Sequence, residues 1–381
     1  MSIYDDSLQF HAAQRGKLSI TSKTPISNYD ELSLAYTPGV AEPCREIERD
    51  PDLIYKYTMK GNAIAVITDG SAVLGLGNIG PKASLPVMEG KCVLFQQFAG
   101  IDAFPLCIES GGDMDIFIET VKRVVAPFGG VNLEDIGAPH CFEIEKRLKE
   151  ALDIPVFHDD QHGTAIVVLG SLINAFKVTG RSFGDVKIVI SGAGAAGTAI
   201  AKLLAHYGAR NVIICDSKGA IAASRDDLAP YKKDLLAETN PDNVSGLLAE
   251  VLQGADVFIG VSAPGIVTQE MVKSMNEDPV VFALANPTPE IMPDEARAGG
   301  AFIVGTGRSD FPNQINNVLA FPGLFRGVLD ARLRNISEKM YTTAAEALAA
   351  IVEKPTKDMI IPHIFDETVV PAIASAVKSC T

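Results

Sequence analysis

The sequence contains no tryptophan, and aromatic residues make up only 7% of its 381 positions. It also lacks an excess of positive charge, because 47 acidic side chains against 33 basic ones give a formal net charge of -14. A strongly acidic chain has no general basic surface for nucleic acid, so nucleic-acid binding is not expected. No run approaches the roughly 18 apolar residues of a membrane-spanning helix, so no membrane contact is expected either.

The cysteines include no C-x-x-C pair, and all six are scattered singly: Cys44, Cys92, Cys107, Cys141, Cys215 and Cys380. In a chain of this length such cysteines are typical of reduced thiols in a cytoplasmic protein. The N-terminus carries Asp5 and Asp6 where a signal peptide needs basic and then apolar residues. We therefore expect a cytoplasmic location.

A glycine-rich turn in the second half has the context of a dinucleotide-binding site. The strand 187–191 runs into Gly192-Ala-Gly-Ala-Ala-Gly197, and a helix without proline follows. The next strand ends in Asp216, 19 residues after Gly197, where a ribose-binding carboxylate is expected. The helix N-terminus offers free N–H groups to the phosphates. The cofactor-binding residues predicted from this motif are Gly192, Gly194, Ala195, Ala196, Gly197 and Asp216.

A second G-x-G-x-x-G, at 75–80, lacks this context. Pro86 stands where the interior of a following helix should be, and no strand ending in an acid follows at the right distance. We interpret this segment as a glycine-rich loop that lets backbone approach a ligand, such as the substrate.

Strands alternating with helices predict an α/β fold. With 381 residues the chain is too long for one ordinary core, so two domains are expected. We place an N-terminal α/β substrate domain at 1–158. A Rossmann-type, doubly wound parallel-sheet domain that binds NAD or NADP, with C-terminal helices, is placed at 159–381.

Acidic pairs follow two strands near this boundary, Glu134 with Asp135 and Asp159 with Asp160. Adjacent carboxylates repel, so a cation, a basic side chain or raised pKa values should accompany them. Oxygen ligands suit Mg²⁺ or Mn²⁺ better than Zn²⁺. His158 and His162 lie in a turn-like segment without HExxH, and we interpret them as partners in local hydrogen bonds.

Two further side chains have the chemistry of an acid and a base. Tyr36 precedes a proline-glycine turn, which can hold a side chain in a cleft. Lys91 precedes an apolar run, so burial would lower its pKa and make it a base near neutral pH. The alternatives are a tyrosine that only packs and a lysine that snorkels at the surface.

Seven segments together resemble the signatures of malic enzymes, most closely the short bacterial and archaeal form. The resemblance runs from about residue 15 to about residue 375. The segments are Ala35-Tyr-Thr-Pro-Gly-Val40, Ile67-Thr-Asp-Gly70 with Leu74-Gly-Leu-Gly-Asn-Ile-Gly80, Glu89-Gly-Lys91, Leu133-Glu-Asp-Ile136, Phe157-His-Asp-Asp-Gln-His-Gly163, Ala285-Asn-Pro-Thr288 and Asn316-Asn-Val318.

The resemblance implies oxidative decarboxylation of (S)-malate to pyruvate and CO₂ with NAD or NADP and Mn²⁺ or Mg²⁺, in a homodimer or larger homo-oligomer. Lys91 matches the general base, Tyr36 the general acid and Asp159 the partner of the lysine. The metal ligands matched are Glu134, Asp135 and Asp160. Asn286 and Asn317 match asparagines that contact substrate and nicotinamide.

One position departs from the family pattern. The long animal and plant forms carry a carboxylate-binding arginine shortly before Leu-Gly-Leu-Gly, and Val73 occupies that place here. Ser71, Asn78, Lys82 and Arg308 are the candidates to replace it. The choice of cofactor is also open, because Asp216 favours NAD whereas Ser217 and Lys218 could hold a 2′-phosphate.

Three other functions remain as alternatives. A malolactic enzyme converts malate to lactate with bound NAD and releases no NADH. An amino-acid dehydrogenase pairs a lysine with a dinucleotide fold but needs no metal, so a chelator would not affect it. A non-catalytic nucleotide sensor has no use for the lysine, the tyrosine and the acids at these positions.

Overall fold

Two parallel sheets form the centre of the protein in the computed structural model, which describes residues 3–73 and 75–380. Four residues lie outside this description: Leu74, which is part of one family segment, and Met1, Ser2 and Thr381 at the two ends of the sequence. The strands are β1 (Ala63–Thr68), β2 (Asp102–Cys107), β3 (Val131–Leu133), β4 (Val156–His158), β5 (Lys187–Ser191), β6 (Asn211–Asp216), β7 (Gly219–Ala220), β8 (Val257–Gly260), β9 (Val280–Ala283) and β10 (Ile303–Thr306).

Helices cover the faces of both sheets. Those of the first half are α1 (Ile3–Gln14), α2 (Tyr29–Ala35), α3 (Ala41–Arg49), α4 (Ile54–Tyr57), α5 (Gly80–Ala99), α6 (Met114–Val124) and α7 (His140–Ala151). Those of the second half are α8 (Thr164–Thr179), α9 (Ala195–His206), α10 (Pro230–Asp234), α11 (Leu248–Val251), α12 (Gln269–Lys273), α13 (Pro293–Ala298), α14 (Phe321–Asp330), α15 (Glu338–Ala350) and α16 (Val369–Lys378).

The strand orders confirm the predicted α/β class. The first sheet has the order β2-β1-β3-β4 and is parallel throughout. The second has the order β10-β9-β8-β5-β6-β7, and all its pairs are parallel except β6 with β7. The chain order reverses beside β5, so the carboxyl ends of β5 and β8 flank a crevice of the kind in which Rossmann-type sheets bind dinucleotides.

One large apolar layer contains residues from both sheets. Ile64 and Val66 of the first sheet and Ile188 and Ile190 of the second belong to the same buried cluster, together with most of α8. Separate clusters cover the other face of each sheet. The C-terminal helices join the central layer, since α15 packs on α8 and α16 on α14.

The continuous helical run Asp159–Thr179 bears on the expectation that no run of the chain approaches a membrane-spanning helix. Its 21 residues are long and apolar enough to cross a membrane by length and composition. However, 67% of its most apolar window is buried inside the protein, and most of α8 belongs to the buried cluster that also contains strands of both sheets. Core helices pass the same test, and this burial identifies the run as a core helix.

The prediction that Pro86 prevents a helix after Gly80 was wrong. Helix α5 runs from Gly80 to Ala99 with Pro86 inside it. A proline in a helix interior costs about 3 kcal/mol, because its ring clashes with the preceding turn and one N–H donor is lost. Burial of Met88 and Phe95, at roughly 1.5–3 kcal/mol each, outweighs that cost.

Candidate active site

Four carboxylates meet where β3 and β4 end. These strands are parallel neighbours with Leu133 opposite His158, so Glu134 and Asp135 emerge beside Asp159 and Asp160. The Asp135 backbone has φ of 54°, and its N–H donates to Asp160 Oδ2 at 2.8 Å. This left-handed turn directs the Asp135 backbone towards the neighbouring strand end and ties the two acidic pairs together.

Lys91 enters this cluster from α5 and is not a surface lysine. Its Nζ lies 2.6 Å from Asp159 Oδ2 and 2.9 Å from Glu134 Oε1. The ammonium also lies over the Phe321 ring, 4.3 Å from the centroid. Asn317 donates to the same Asp159 oxygen at 2.5 Å. Lys91, Asp159 and Asn317, which were predicted from distant segments, therefore lie in direct contact.

The expectation that burial lowers the pKa of Lys91 was wrong for the chain by itself. Burial alone would lower it, but the charges of Asp159 and Glu134 and the hydrogen bond to Asp159 together raise the pKa of Lys91 above its usual value. Burial raises the pKa values of Glu134 and Asp159, and the charge of Lys91 opposes that rise. The cluster holds more negative charge than a single ammonium balances.

Three of the acids fit a divalent cation. Glu134, Asp135 and Asp160 each offer a carboxylate oxygen, and these oxygens lie within 4.8 Å of one another. Nearby, Asn132 Oδ1, Asp159 Oδ1 and both ring nitrogens of His158 are buried without a hydrogen-bond partner. Buried polar atoms are normally paired, so a cluster of unpaired ones beside oxygen donors fits a site for an ion and its water.

A cavity of about 470 Å³ joins one of these acids, Asp160, to the dinucleotide loop. Gly194, Ala195 and Ala196 of that loop line the same cavity. Asn286 and Asn317 also line it, as do backbone segments near Gly75. A Cβ on Gly75 would lie 3.0 Å from Asn286 O, so the first glycine loop packs closely against the asparagine loop of the second domain.

The fingerprint glycines have different surroundings. A Cβ on Gly197 would lie 1.8 Å from Gly192 O, so helix α9 can pack here only with glycine. A Cβ on Gly194 would have no atom within 4 Å, because Gly194 faces the open cavity. Together with the first N–H groups of α9, this space suits a pyrophosphate.

Asp216, at the end of β6, is held by cations that the sequence did not indicate. Arg225 donates to both of its oxygens, at 2.8 and 3.1 Å, and Lys232 donates to Oδ2 at 2.7 Å. Lys218, a predicted phosphate-binding residue, pairs with Asp227 at 2.7 Å instead. The ribose end of the site therefore contains three basic side chains around two acids.

Tyr36 is not brought to the cavity within one chain. It follows α2, its side chain is 66% exposed, and it is not among the lining residues. The four candidates for a substrate carboxylate also lie outside the described lining. Ser71 is engaged by Asp69 and Gly137, and Arg308 pairs with Asp310.

Several side chains at the site were missed from the sequence. Asn132 donates to Glu134 at 2.8 Å, and Phe321 packs on the Lys91 ammonium. Glu145 accepts hydrogen bonds from the segment that carries Asp159 and Asp160. Phe321 and Glu145 lie far from the acids in the sequence, and Asn132, two residues before Glu134, belongs to no motif, so only the folded chain reveals these contacts.

Two family matches cover most of the chain. The malic enzyme N-terminal domain matches residues 15–149, and the malic enzyme NAD-binding domain matches residues 161–380. The bifunctional malic/malolactic enzyme of Bacillus subtilis is 57% identical over 99% of this chain and 92% of its own length. An NADP-dependent malic enzyme of Halomonas elongata is 48% identical, over 97% of this chain and 91% of its own.

A solved structure has the same architecture. The NAD-dependent malic enzyme of Thermotoga maritima is 48% identical, covers 98% of this chain and 99% of its own, and superposes with a TM-score of 0.95. The NAD-binding fold together with these relatives defines an NAD(P)-dependent oxidoreductase. The chain belongs to the malic enzyme family.

Proposed function

We propose that this protein catalyses the metal-dependent oxidative decarboxylation of (S)-malate to pyruvate and CO₂, with reduction of NAD⁺ or NADP⁺. The observation that carries this proposal is the contact of Lys91 with Asp159 and Glu134, beside three clustered acids of which one, Asp160, lines the cavity that reaches the dinucleotide loop. A base, a cation site and a hydride acceptor site are thus available to one small hydroxy acid.

The residues that would hold the metal are Glu134, Asp135 and Asp160, and the expected ions are Mn²⁺ or Mg²⁺. A bound divalent cation supplies positive charge that stabilises developing negative charge on substrate oxygens. The chain provides the rest of the setting, since the acids are buried or half-buried and lie at the ends of two rigid paired strands.

Lys91 is proposed to take the proton from the C2 hydroxyl of malate. A base must be neutral, whereas Lys91 in the isolated chain is an ammonium stabilised by Asp159 and Glu134. A divalent cation held by Glu134 would weaken the support of that carboxylate for the ammonium and would so lower the pKa of Lys91. Asp159 remains within hydrogen-bond distance of Nζ and orients it. Asn286 and Asn317 are proposed to contact substrate and nicotinamide.

Tyr36 is proposed to protonate C3 after decarboxylation, from the second subunit of a homodimer. Its own chain leaves it exposed and away from the cavity. The helices before it bury none of their side chains, and Ile3, Tyr4, Leu8 and Phe10 of α1 are exposed. An apolar N-terminal surface around a required residue is what a second copy would cover.

The cofactor is proposed to be NAD or NADP. Asp216 supports NAD, because a carboxylate accepts hydrogen bonds from an unphosphorylated ribose. Arg225 and Lys232 offset its charge, which makes the same place less repulsive to a 2′-phosphate. We further propose a boundary between the substrate and cofactor domains near residue 159, and a cytoplasmic location.

A second candidate is malolactic conversion of malate to lactate with retained NAD. The relative from Bacillus subtilis carries both names, malic and malolactic, so this candidate is retained for the present chain. The two reactions differ in the product, and in whether reduced cofactor is released.

The deciding experiment is an assay with L-malate and Mn²⁺ that follows absorbance of the reduced nicotinamide. NAD⁺ and NADP⁺ are run in parallel, each with and without EDTA, and pyruvate and lactate are quantified. We expect formation of reduced cofactor that EDTA abolishes, matched by pyruvate. Lactate without net reduction would establish the malolactic reaction instead. Turnover that EDTA leaves unchanged would rule out the metal-dependent mechanism.

A further inference from the structure

The acids Asp159 and Asp160 lie on a single π-helical turn, Asp159–Gly163, between β4 and α8. Such wide turns are rare and are frequently found at functional sites. One part of this turn faces the acidic cluster, since Asp159 contacts Lys91 and Asp160 contacts the Asp135 N–H. The next two residues, Gln161 and His162, make their contacts elsewhere.

Gln161 and His162 both bind one carboxylate, that of Glu145 on α7. Gln161 Nε2 donates to Glu145 Oε2 at 3.2 Å. His162 Nε2 lies 2.9 Å from both Glu145 oxygens. Glu145 is only 5% exposed, so these contacts are shielded from water. The carboxylate thus binds two consecutive side chains of the turn that carries the acids.

The Glu145 carboxylate is balanced and held from several sides. Lys149, one turn later on α7, lies 2.8 Å from Glu145 Oε1. The His162 ring stacks on Tyr341 of α15, with 4.6 Å between centroids and 18° between planes. Lys149 Nζ also lies 3.4 Å from the Tyr341 hydroxyl oxygen. Elements from both halves of the chain therefore fix the position of His162.

We propose that Glu145 is a positioning residue for the acidic cluster. Through Gln161 and His162, Glu145 fixes the turn that presents Asp159 and Asp160. The expected effect on metal binding rests on the proposed function. Glu145 itself contacts neither Lys91 nor the three clustered acids in the described contacts. Outer partners of this kind keep ligands in the geometry that a cation requires.

The first test variant is Glu145→Gln, and its matched control is Glu143→Gln. Both substitutions remove one negative charge from α7, but Glu143 is exposed whereas Glu145 is buried. Hydrogen exchange of the backbone amides at 160–164 is measured by mass spectrometry without added metal. Binding of Mn²⁺ alone is measured by electron paramagnetic resonance, and binding of NADH by fluorescence.

In Glu145→Gln we expect exchange at 160–164 to become roughly tenfold faster and the Kd for Mn²⁺ to rise roughly tenfold, with NADH binding within about twofold of wild type. Glu143→Gln should match wild type in all three. Should Glu145→Gln not fold, His162→Ala removes the ring that contacts both Glu145 oxygens, leaves Glu145 paired with Lys149, and should give the same pattern.

Unchanged exchange at 160–164, or unchanged Mn²⁺ affinity despite faster exchange, would overturn the positioning role. Failure of the proposed function gives a different result, because the wild-type protein would then bind no Mn²⁺. Hydrogen exchange at 160–164 in wild type and Glu145→Gln would still test the role of Glu145. A general loss of stability is also distinguishable, since it would weaken NADH binding and speed exchange in α9 and β5 as well.

Discussion

At the scale of single residues, Lys91 is the centre of the site, with two carboxylates and one aromatic ring around its ammonium. Replacement of Lys91 with alanine removes the proposed base. We expect kcat with L-malate to fall about 10²- to 10⁴-fold, the range typical of general-base catalysis. NADH affinity should change little, because Lys91 contacts Asp159, Glu134 and Phe321 and no residue of the dinucleotide loop in the described contacts.

The Lys91→Ala measurement compares steady-state kinetics with NADH titration on the same preparation. Normal NADH binding shows that the second domain is folded. Wild-type turnover in that preparation would mean that another group takes the proton and that the assignment of Lys91 is wrong.

Asp216 offers a pH-dependent prediction. Although burial raises it, hydrogen bonds from Arg225 and Lys232 lower the pKa of Asp216 to about 2. Because the folded-state pKa lies below the unfolded value of about 3.9, the stabilisation is complete above about pH 5 and is lost as the pH falls towards 2. Asp216→Asn should therefore reduce the free energy of unfolding by about 1 kcal/mol at pH 6, after allowance for solvent screening.

Urea unfolding of wild type and Asp216→Asn is followed by circular dichroism between pH 2 and 7, since the chain has no tryptophan for fluorescence. The difference between the two proteins should shrink below about pH 4 and vanish near pH 2. A difference that grows on acidification would show that the ion pairs of Asp216 do not stabilise the fold.

Residue identities at the site could be predicted from the sequence, but their electrostatics could not. Family segments indicate Lys91 and Asp159, yet the pKa direction of Lys91 depends on Glu134 and Asp159 approaching it from two different strand ends. In the same way, nothing in the spacing between Asp216 and Arg225 shows that the guanidinium binds both carboxylate oxygens.

At the scale of elements, the strand–turn–helix at 187–206 separates two roles of glycine. Gly197→Ala places a Cβ 1.8 Å from Gly192 O, so α9 must move. We expect a loss of about 1–3 kcal/mol of stability, as for other overpacked sites. Gly194→Ala meets no atom within 4 Å and should keep stability within about 0.5 kcal/mol.

The two variants should differ in which property they lose. Gly197→Ala should lose mainly stability, whereas Gly194→Ala should lose mainly NADH affinity. Gly194→Ala fills space that the pyrophosphate is proposed to approach, so its NADH affinity should drop while its melting temperature stays near wild type. Melting by circular dichroism and NADH titration test both variants. Normal NADH affinity in Gly194→Ala would argue against this loop as the pyrophosphate site.

The elements themselves were predictable to different degrees. Strand β5 and helix α9 have clean patterns and lie where the sequence placed them. Strand β3 ends at Leu133, because Glu134 and Asp135 leave the sheet to form the acidic cluster. Local propensity does not contain that information, since the turn depends on Asp160 of the next strand end.

At the scale of the whole molecule, the separation of Tyr36 from the cavity predicts an active site shared between subunits. Tyr36→Phe and Lys91→Ala should each be nearly inactive alone. Co-expression of the two variants with different tags yields mixed dimers. In these, the site of the Tyr36→Phe subunit keeps its own Lys91 and receives an intact Tyr36 from the Lys91→Ala subunit. Such dimers should recover roughly half of the wild-type rate.

The molar mass of the assembly is measured by light scattering alongside the activity assay of Tyr36→Phe and Lys91→Ala. Mixed dimers no more active than their parents would show that Tyr36 serves its own chain, and a monomeric wild type would remove the basis for sharing altogether. A mixture of two wild-type chains with different tags controls for damage during purification.

The apolar layer between the two sheets also limits how independent the two halves of the chain can be. Ile64 and Val66 pack in the same cluster as Ile188 and Ile190, and most of α8 belongs to that cluster too. Separation at residue 159 would expose that layer on both fragments, so calorimetry should show one cooperative transition. The cofactor-binding half is therefore not a portable module, and a chimera must inherit α8 and its apolar partners together with the dinucleotide fold.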